Sequence, residues 1–130
     1  MGKKKVKCIV IVDDDEDLLK ILSYEFHELG YEVKSFTTGK SASAFLLDKK
    51  NLSDVHLIIL DRILPSMDGL DILQKIKEKI GHKIPVIIIS ILDSEKDILA
   101  GLEGGAIDYI TKPFSIALLM RKATQLLKSS

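Results

Sequence analysis

Three apolar runs constrain this chain more than anything else in it. They are Cys8-Ile9-Val10-Ile11-Val12, Val55-His56-Leu57-Ile58-Ile59-Leu60 and Pro85-Val86-Ile87-Ile88-Ile89-Ser90. Runs of this length, rich in β-branched residues, read as strands, and strands without polar alternation are buried on both faces. That is the pattern of a parallel sheet covered by helices on each side. The first run passes straight into Asp13-Asp14-Asp15 and the second ends at Asp61. If the strands are parallel neighbours, these carboxylates converge at one sheet edge. Clustered carboxylates repel one another and need a cation, which points to a divalent metal site.

The rest of the chain fits between these runs. Leu18, Leu19, Leu22, Phe26 and Leu29 share a helical face that Gly30 terminates. A weaker strand covers 32–36, and Ala42, Phe45 and Leu46 mark a second helix. Gly69, Ile72, Leu73, Ile76 and Ile80 predict a third helix closed by Gly81. A fourth covers 93–103, with Asp93 or Ser94 as its N-cap. A short fifth strand spans 107–110. Leu119, Met120, Ala123, Leu126 and Leu127 form the core stripe of a last helix, with Leu118 off that stripe. Alternating strands and helices give right-handed βαβ units, hence an α/β fold with a doubly wound five-stranded parallel sheet, (βα)5.

Composition removes several function classes. The 130 residues suit one domain, 1–130, in which residues 1–4 belong to a basic lead-in around Lys3-Lys4-Lys5. Lys plus Arg equals Asp plus Glu, so no general nucleic-acid binder is expected. Cys8, the single cysteine, allows no intrachain disulfide and no Cys-rich zinc site, and reads as a small core residue. His27, His56 and His82 show no ligand spacing. No apolar run approaches the roughly 18 residues of a membrane span, and Met1 is not followed by a signal peptide. A cytoplasmic protein is expected, either a stand-alone unit or one excised from a longer chain.

In a doubly wound sheet, ligands sit beyond the carboxyl ends of the strands. Here those ends carry Asp13-Asp14, Asp61, Ser90 and Thr111-Lys112. Two or three carboxylates hold one Mg²⁺ and leave it positions for water or phosphate oxygens. A carboxylate is also a nucleophile toward phosphorus, giving an aspartyl-phosphate. The metal and Lys112 would neutralise charge, and Ser90 would hydrogen-bond a phosphoryl oxygen. Taken alone, Asp15 reads as a helix N-cap, Tyr109 as a half-buried strand tyrosine, Asp68-Gly69 as a turn and Pro65 as a stiffener of the loop after Asp61.

Four segments together give the chain a resemblance along nearly its whole length: Ile9 through Asp15, Leu60-Asp61-Arg62-Ile63-Leu64-Pro65-Ser66-Met67-Asp68-Gly69, Pro85 through Ser90, and Gly105-Ala106-Ile107-Asp108-Tyr109-Ile110-Thr111-Lys112-Pro113-Phe114. In this order and spacing the sequence resembles the receiver domains of two-component response regulators, which are CheY-like and flavodoxin-like with strand order 2-1-3-4-5. The resemblance implies that Asp61 is the phosphoacceptor. It implies that Asp14 binds Mg²⁺ directly, that Asp13 is its partner, and that the backbone carbonyl of Ile63 is a further ligand, with Mn²⁺ able to substitute. Ser90 and Tyr109 match the switch residues, Lys112 matches the phosphoryl-contacting lysine, and Lys112-Pro113 matches a cis peptide. The implied donor is a histidine kinase or histidine phosphotransfer protein. The implied output surface, for an effector domain or partner, is the helix four, strand five, helix five face. Such a domain catalyses its own phosphorylation and dephosphorylation without turning over an external substrate, and no direct nucleic-acid or membrane contact is implied.

Three positions depart from the usual pattern. Ile91 stands where a small residue is common and would narrow access to Asp61. Arg62 follows Asp61 where an apolar residue is frequent, and Ile107 replaces a frequent Asp. Ile107 and Leu118 together suggest a partner surface. The rival readings are a phosphate-independent pseudo-receiver binding module and a Mg²⁺-dependent phosphohydrolase. The second is opposed by Ile63 at the position two after Asp61, where such enzymes commonly carry an acid. Neither GxGxxG nor a Walker A motif marks a nucleotide site.

Overall fold

The computed structural model describes residues 6–129. The basic lead-in of residues 1–4, and Lys5, lie outside the described residues. The elements in chain order are β1 (Cys8–Val12), α1 (Glu16–Glu28), β2 (Glu32–Phe36), α2 (Gly39–Leu46), α3 (Lys49–Leu52), β3 (Val55–Asp61), β4 (Ile63–Leu64), β5 (Met67–Asp68), α4 (Gly69–Ile80), β6 (Val86–Ser90), α5 (Glu95–Glu103), β7 (Asp108–Thr111) and α6 (Ile116–Ser129). The main sheet is parallel, in the order β2-β1-β3-β6-β7. This is the expected 2-1-3-4-5 order. The numbering differs because a two-stranded β4–β5 hairpin intervenes before α4.

Period-two alternation divides the apolar strands between two cores. Ile9, Ile11, Leu57, Ile59, Ile87 and Ile89 face α1 and α6, packing on Leu19, Leu22, Phe26, Leu119, Ala123 and Leu127. Val10, Val12, Ile58, Leu60, Val86 and Ile88 face the other way, onto Ala42, Leu46, Leu52, Ile72, Leu73 and Ile76. Every one of these strand residues is fully buried. A strand with helices on both faces has no solvent side, which is why polar alternation is missing from its sequence.

The helix boundaries follow local chemistry. Asp15 caps α1 by accepting from the backbone N–H groups of Asp17 and Leu18. Of the two candidate caps for α5, Ser94 takes the role, its hydroxyl accepting from Asp97 N–H. Gly30 and Gly81 take positive φ values of 89° and 64° just beyond α1 and α4, where a side chain would be strained. The fifth strand, expected over 107–110, covers Asp108–Thr111 instead. Ile107 donates its N–H to Val86 O, but its side chain is exposed. Among the described residues no helix is long and apolar enough to cross a membrane.

Candidate functional site

Parallel register brings the polar strand ends together. Val12 pairs with Leu60, so the next residues, Asp13 and Asp61, come level. Asp61 pairs with Ile89 and Ser90 with Thr111, which puts Ser90 and Lys112 at the same edge. Odd-numbered alternation points Asp13 and Asp61 to one side of the sheet, the side that carries Ile11 and Ile59. Carboxylate oxygens of Asp13, Asp14 and Asp61 lie within 4.8 Å of one another. Asp13 and Asp61 are buried and Asp14 is exposed.

One ammonium sits between the two buried acids. Lys112 Nζ donates to Asp13 Oδ2 at 2.7 Å and to Asp61 Oδ2 at 2.9 Å. Asp13 Oδ1 accepts from Asp15 N–H at 2.9 Å, and Asp61 Oδ1 accepts from Ile63 N–H at 3.0 Å. Burial raises the Asp61 carboxyl above its ordinary value; Lys112 and the Ile63 N–H pull it down, and Asp13 pushes it up again. Burial alone would lower Lys112. The hydrogen bonds and charges of Asp13 and Asp61 outweigh it and hold the ammonium above its usual value. The Lys112–Pro113 peptide is cis.

Ser90 is buried, and its Oγ accepts from Leu92 N–H at 3.0 Å. Tyr109 is half-buried, and its hydroxyl donates to Leu92 O at 2.7 Å. Both polar groups of the Leu92 backbone are therefore held by the two side chains, one from β6 and one from β7. The Tyr109 ring lies so close to α5 that a Cβ at Gly101 would approach its Cδ2 to 2.6 Å. Tyr109→Phe removes the hydroxyl and leaves Leu92 O without this donor. The expected loss is about 1 kcal/mol, read as a lower urea midpoint with an unchanged slope.

Gly69 is where the loop from β3 closes on itself. Its N–H donates to Arg62 O at 2.6 Å, and a Cβ there would lie 2.4 Å from Asp61 O. The turn expected at Asp68-Gly69 thus also serves as the seat of Asp61. Ile91 is 65% exposed and lines a shallow cleft of about 330 Å³ with Leu18, Lys112, Pro113 and Phe114. The backbone of Leu92, the α3 turn and the charge network around Arg62 carried no signal in the sequence: the first is main chain, the second is a single turn, and the third joins residues far apart in the chain.

A family model described as the response regulator receiver domain matches residues 9–124. The alkaline phosphatase synthesis transcriptional regulatory protein PhoP of Bacillus subtilis (strain 168) is 36% identical over 109 residues, covering 84% of this chain and 43% of that protein. The chain therefore spans less than half the length of that relative. The BeF3-activated receiver domain of DrrB, a Thermotoga maritima protein, is 33% identical with a TM-score of 0.81, covering 95% of this chain and 98% of that one. A chain of the CheX-CheY-BeF3-Mg²⁺ complex from Borrelia burgdorferi is 27% identical with a TM-score of 0.83, over 93% of this chain and 89% of that one.

Proposed function

The chain belongs to the response regulator receiver domain family of two-component systems, and we propose that it works there as a phosphorylation switch with Asp61 as nucleophile. One observation carries this reading: three carboxylates converge within 4.8 Å, and Lys112 bonds to two of them. A carboxylate oxygen of Asp61 attacks the phosphorus of a phosphohistidine on a histidine kinase or histidine phosphotransfer protein. The O–P bond forms as the N–P bond breaks, and the imidazole keeps the electron pair and takes a proton. Lys112 stands beside the attacked group and balances the charge gathering on its oxygens. Ser90 spends its acceptor side on Leu92 N–H, which leaves its hydroxyl proton to donate to a phosphoryl oxygen.

The residues fit a divalent cation. Three carboxylates against one ammonium leave negative charge over, all the donors are hard oxygens, and Asp14 has no hydrogen bond or ion pair among the described residues. Asp13, Asp14, Asp61 and the Ile63 carbonyl would hold Mg²⁺, or Mn²⁺ in its place. When bound, the metal supplies neutralising charge to the transferring phosphoryl oxygens. The BeF3 named with the DrrB structure, and the BeF3 and Mg²⁺ named with the Borrelia complex, support a metal at this site.

Ser90 moving toward the phosphoryl group gives up Leu92 N–H, and Tyr109, bonded to the same residue, moves with it. That shifts population between two packings of the α5–β7–α6 face, the helix four, strand five, helix five face of the sequence reading. An effector domain or separate partner reads that face, where Leu102, Ile107 and Leu118 are exposed. The unit acts in the cytoplasm as one receiver domain over residues 1–130. It catalyses its own phosphorylation and dephosphorylation and has no external substrate to turn over. The phosphate-independent module is the weaker reading, because it leaves the shared Lys112 and the unpaired Asp14 without a purpose.

The test is intact-mass analysis after incubation with acetyl phosphate and Mg²⁺. The parent is expected to gain one phosphoryl group; Asp61→Asn, and the parent without divalent metal, are expected to gain none. A gain retained in Asp61→Asn would assign the chemistry to another nucleophile. No gain in the parent, with phosphohistidine donors as well, would leave the binding-module reading in its place.

A further inference from the structure

Arg62 follows the proposed nucleophile, and its backbone N–H donates to Ile89 O at 3.0 Å. This continues the β3–β6 ladder by one step, so strand alternation sends the Arg62 side chain to the face opposite Asp61, toward α4 and α5. The side chain is only 12% exposed. Its Nη1 donates to Asp97 O at 3.0 Å and lies 3.6 Å from Asp97 Oδ1. Its Nε is buried with no hydrogen-bond acceptor, the nearest carboxylate oxygen being Asp68 Oδ1 at 3.9 Å.

Both carboxylates already serve a helix start. Asp68 Oδ1 caps α4 by accepting from Leu70 N–H at 2.9 Å. Asp97 Oδ2 accepts from Ser94 Oγ at 2.7 Å, and Ser94 caps α5. One guanidinium therefore ties the amino-terminal turns of two helices to the residue beside Asp61. The β6–α5 connection is held at its other end by Ser90 and Tyr109 through Leu92.

We propose that Arg62 is a positioning residue: it clamps the first turn of α5 to the loop after β3 in the unphosphorylated protein and so sets how readily α5 shifts when the site is loaded. The coupling half of this proposal rests on the phosphorylation reading above; the clamp itself does not. A buried guanidinium with an unsatisfied N–H is a poor device for global stability, since well-packed apolar residues often replace buried ions without loss. The loop after β3 and the start of α4 are already joined by the β4–β5 pairing and by Gly69 N–H on Arg62 O; what the guanidinium adds is a fixed relation between them and the first turn of α5.

The experiment compares the parent with Arg62→Met and Arg62→Lys by backbone hydrogen exchange, first without metal. In Arg62→Met the α5 amides, 98–103, are expected to exchange about tenfold faster, while those of β1 and β3 change by less than about twofold. Arg62→Lys is expected to fall between, because one ammonium keeps the charge but cannot reach Asp68 and Asp97 together. Exchange that rises equally in α5 and β1, or not at all in α5, overturns the clamp. The second arm titrates beryllofluoride with Mg²⁺. Arg62→Met is expected to bind several-fold more tightly, because loading no longer has to work against the clamp. Unchanged affinity beside faster α5 exchange overturns the coupling. Failure of the parent itself to bind beryllofluoride counts against the phosphorylation reading, while the metal-free exchange data still decide the clamp.

Discussion

Lys112→Met is expected to cost the metal-free protein about 3 kcal/mol, and Mg²⁺ is expected to restore most of it. Breaking a buried ion pair by removing one partner typically costs about 3–5 kcal/mol, because the other charge is left uncompensated. Here two acids, Asp13 and Asp61, lose the same partner. The low end applies because the Lys112 side chain is 20% exposed, so water reaches its head group. Methionine keeps most of the length and the packing, so the loss reports charge. Divalent metal binds the folded cluster and not the unfolded chain, so it stabilises by mass action. The gain should be larger in Lys112→Met than in the parent, where the ammonium already balances part of the charge. The same change should slow phosphoryl uptake by about 10²–10³-fold, as removal of one preorganised donor does.

The pH dependence of this loss has a definite sign. Lys112 is raised above 10.5, so its contribution in the parent is complete below 10.5 and disappears as pH rises through the folded value above that. Asp61 works the other way. Its carboxyl is raised above 3.8, so the folded protein takes up that proton more readily than the unfolded chain. Ionised Asp61 is thus a cost, and it lifts as pH falls through the folded value toward 3.8. The deficit of Lys112→Met should be largest near neutrality and shrink in mild acid, as Asp61 becomes neutral. Denaturant melts of parent and variant, with and without Mg²⁺ at neutral and mildly acidic pH, check this. Equal deficits under all four conditions would mean that Lys112 matters for packing and not for charge.

The parts of the fold that were legible in the sequence are those with a periodic or terminal signal. β1, β3 and β6 announce themselves because burial on two faces removes polar alternation from them, leaving His56 near the start of β3 and the site residues Asp61 and Ser90 at the strand ends. Gly30 and Gly81 mark helix ends because positive φ requires glycine there. The candidate site was legible because its residues directly follow strands, and parallel register then brings Asp13 level with Asp61. Pairwise geometry was not legible. α3 and the β4–β5 hairpin are too short to show a period. Ile107 looks like strand sequence, yet its side chain turns outward and the strand begins one residue later. Arg62 could be noted as unusual, but nothing along the chain connects it to Asp97, 35 residues away.

Gly69→Ala is the second substitution with a large expected effect, and helix propensity gives it the wrong sign. Gly69 is the first residue of α4, where alanine should help by up to about 1 kcal/mol. The space around it decides otherwise. A Cβ would lie 2.4 Å from Asp61 O and 2.8 Å from Arg62 Cα, both main-chain atoms that no rotamer change can remove. Backbone must move, and forced overpacking costs about 1–3 kcal/mol, occasionally more. The expected result is a loss of about 3 kcal/mol, from the upper part of that range because the new Cβ meets main chain that cannot turn aside. The displaced segment carries Asp61 itself and the Ile63 N–H that holds Asp61 Oδ1 at 3.0 Å. Phosphoryl uptake under stabilising conditions should therefore fall as well, since small misplacements of a reacting group are costly. Denaturant melts and intact-mass time courses on the same preparation separate the two effects. A variant that loses stability but takes up phosphate at the parent rate would show that the loop yields at Arg62 and leaves Asp61 in place. Unchanged stability would mean that the close approach of Gly69 to the loop does not hold Asp61.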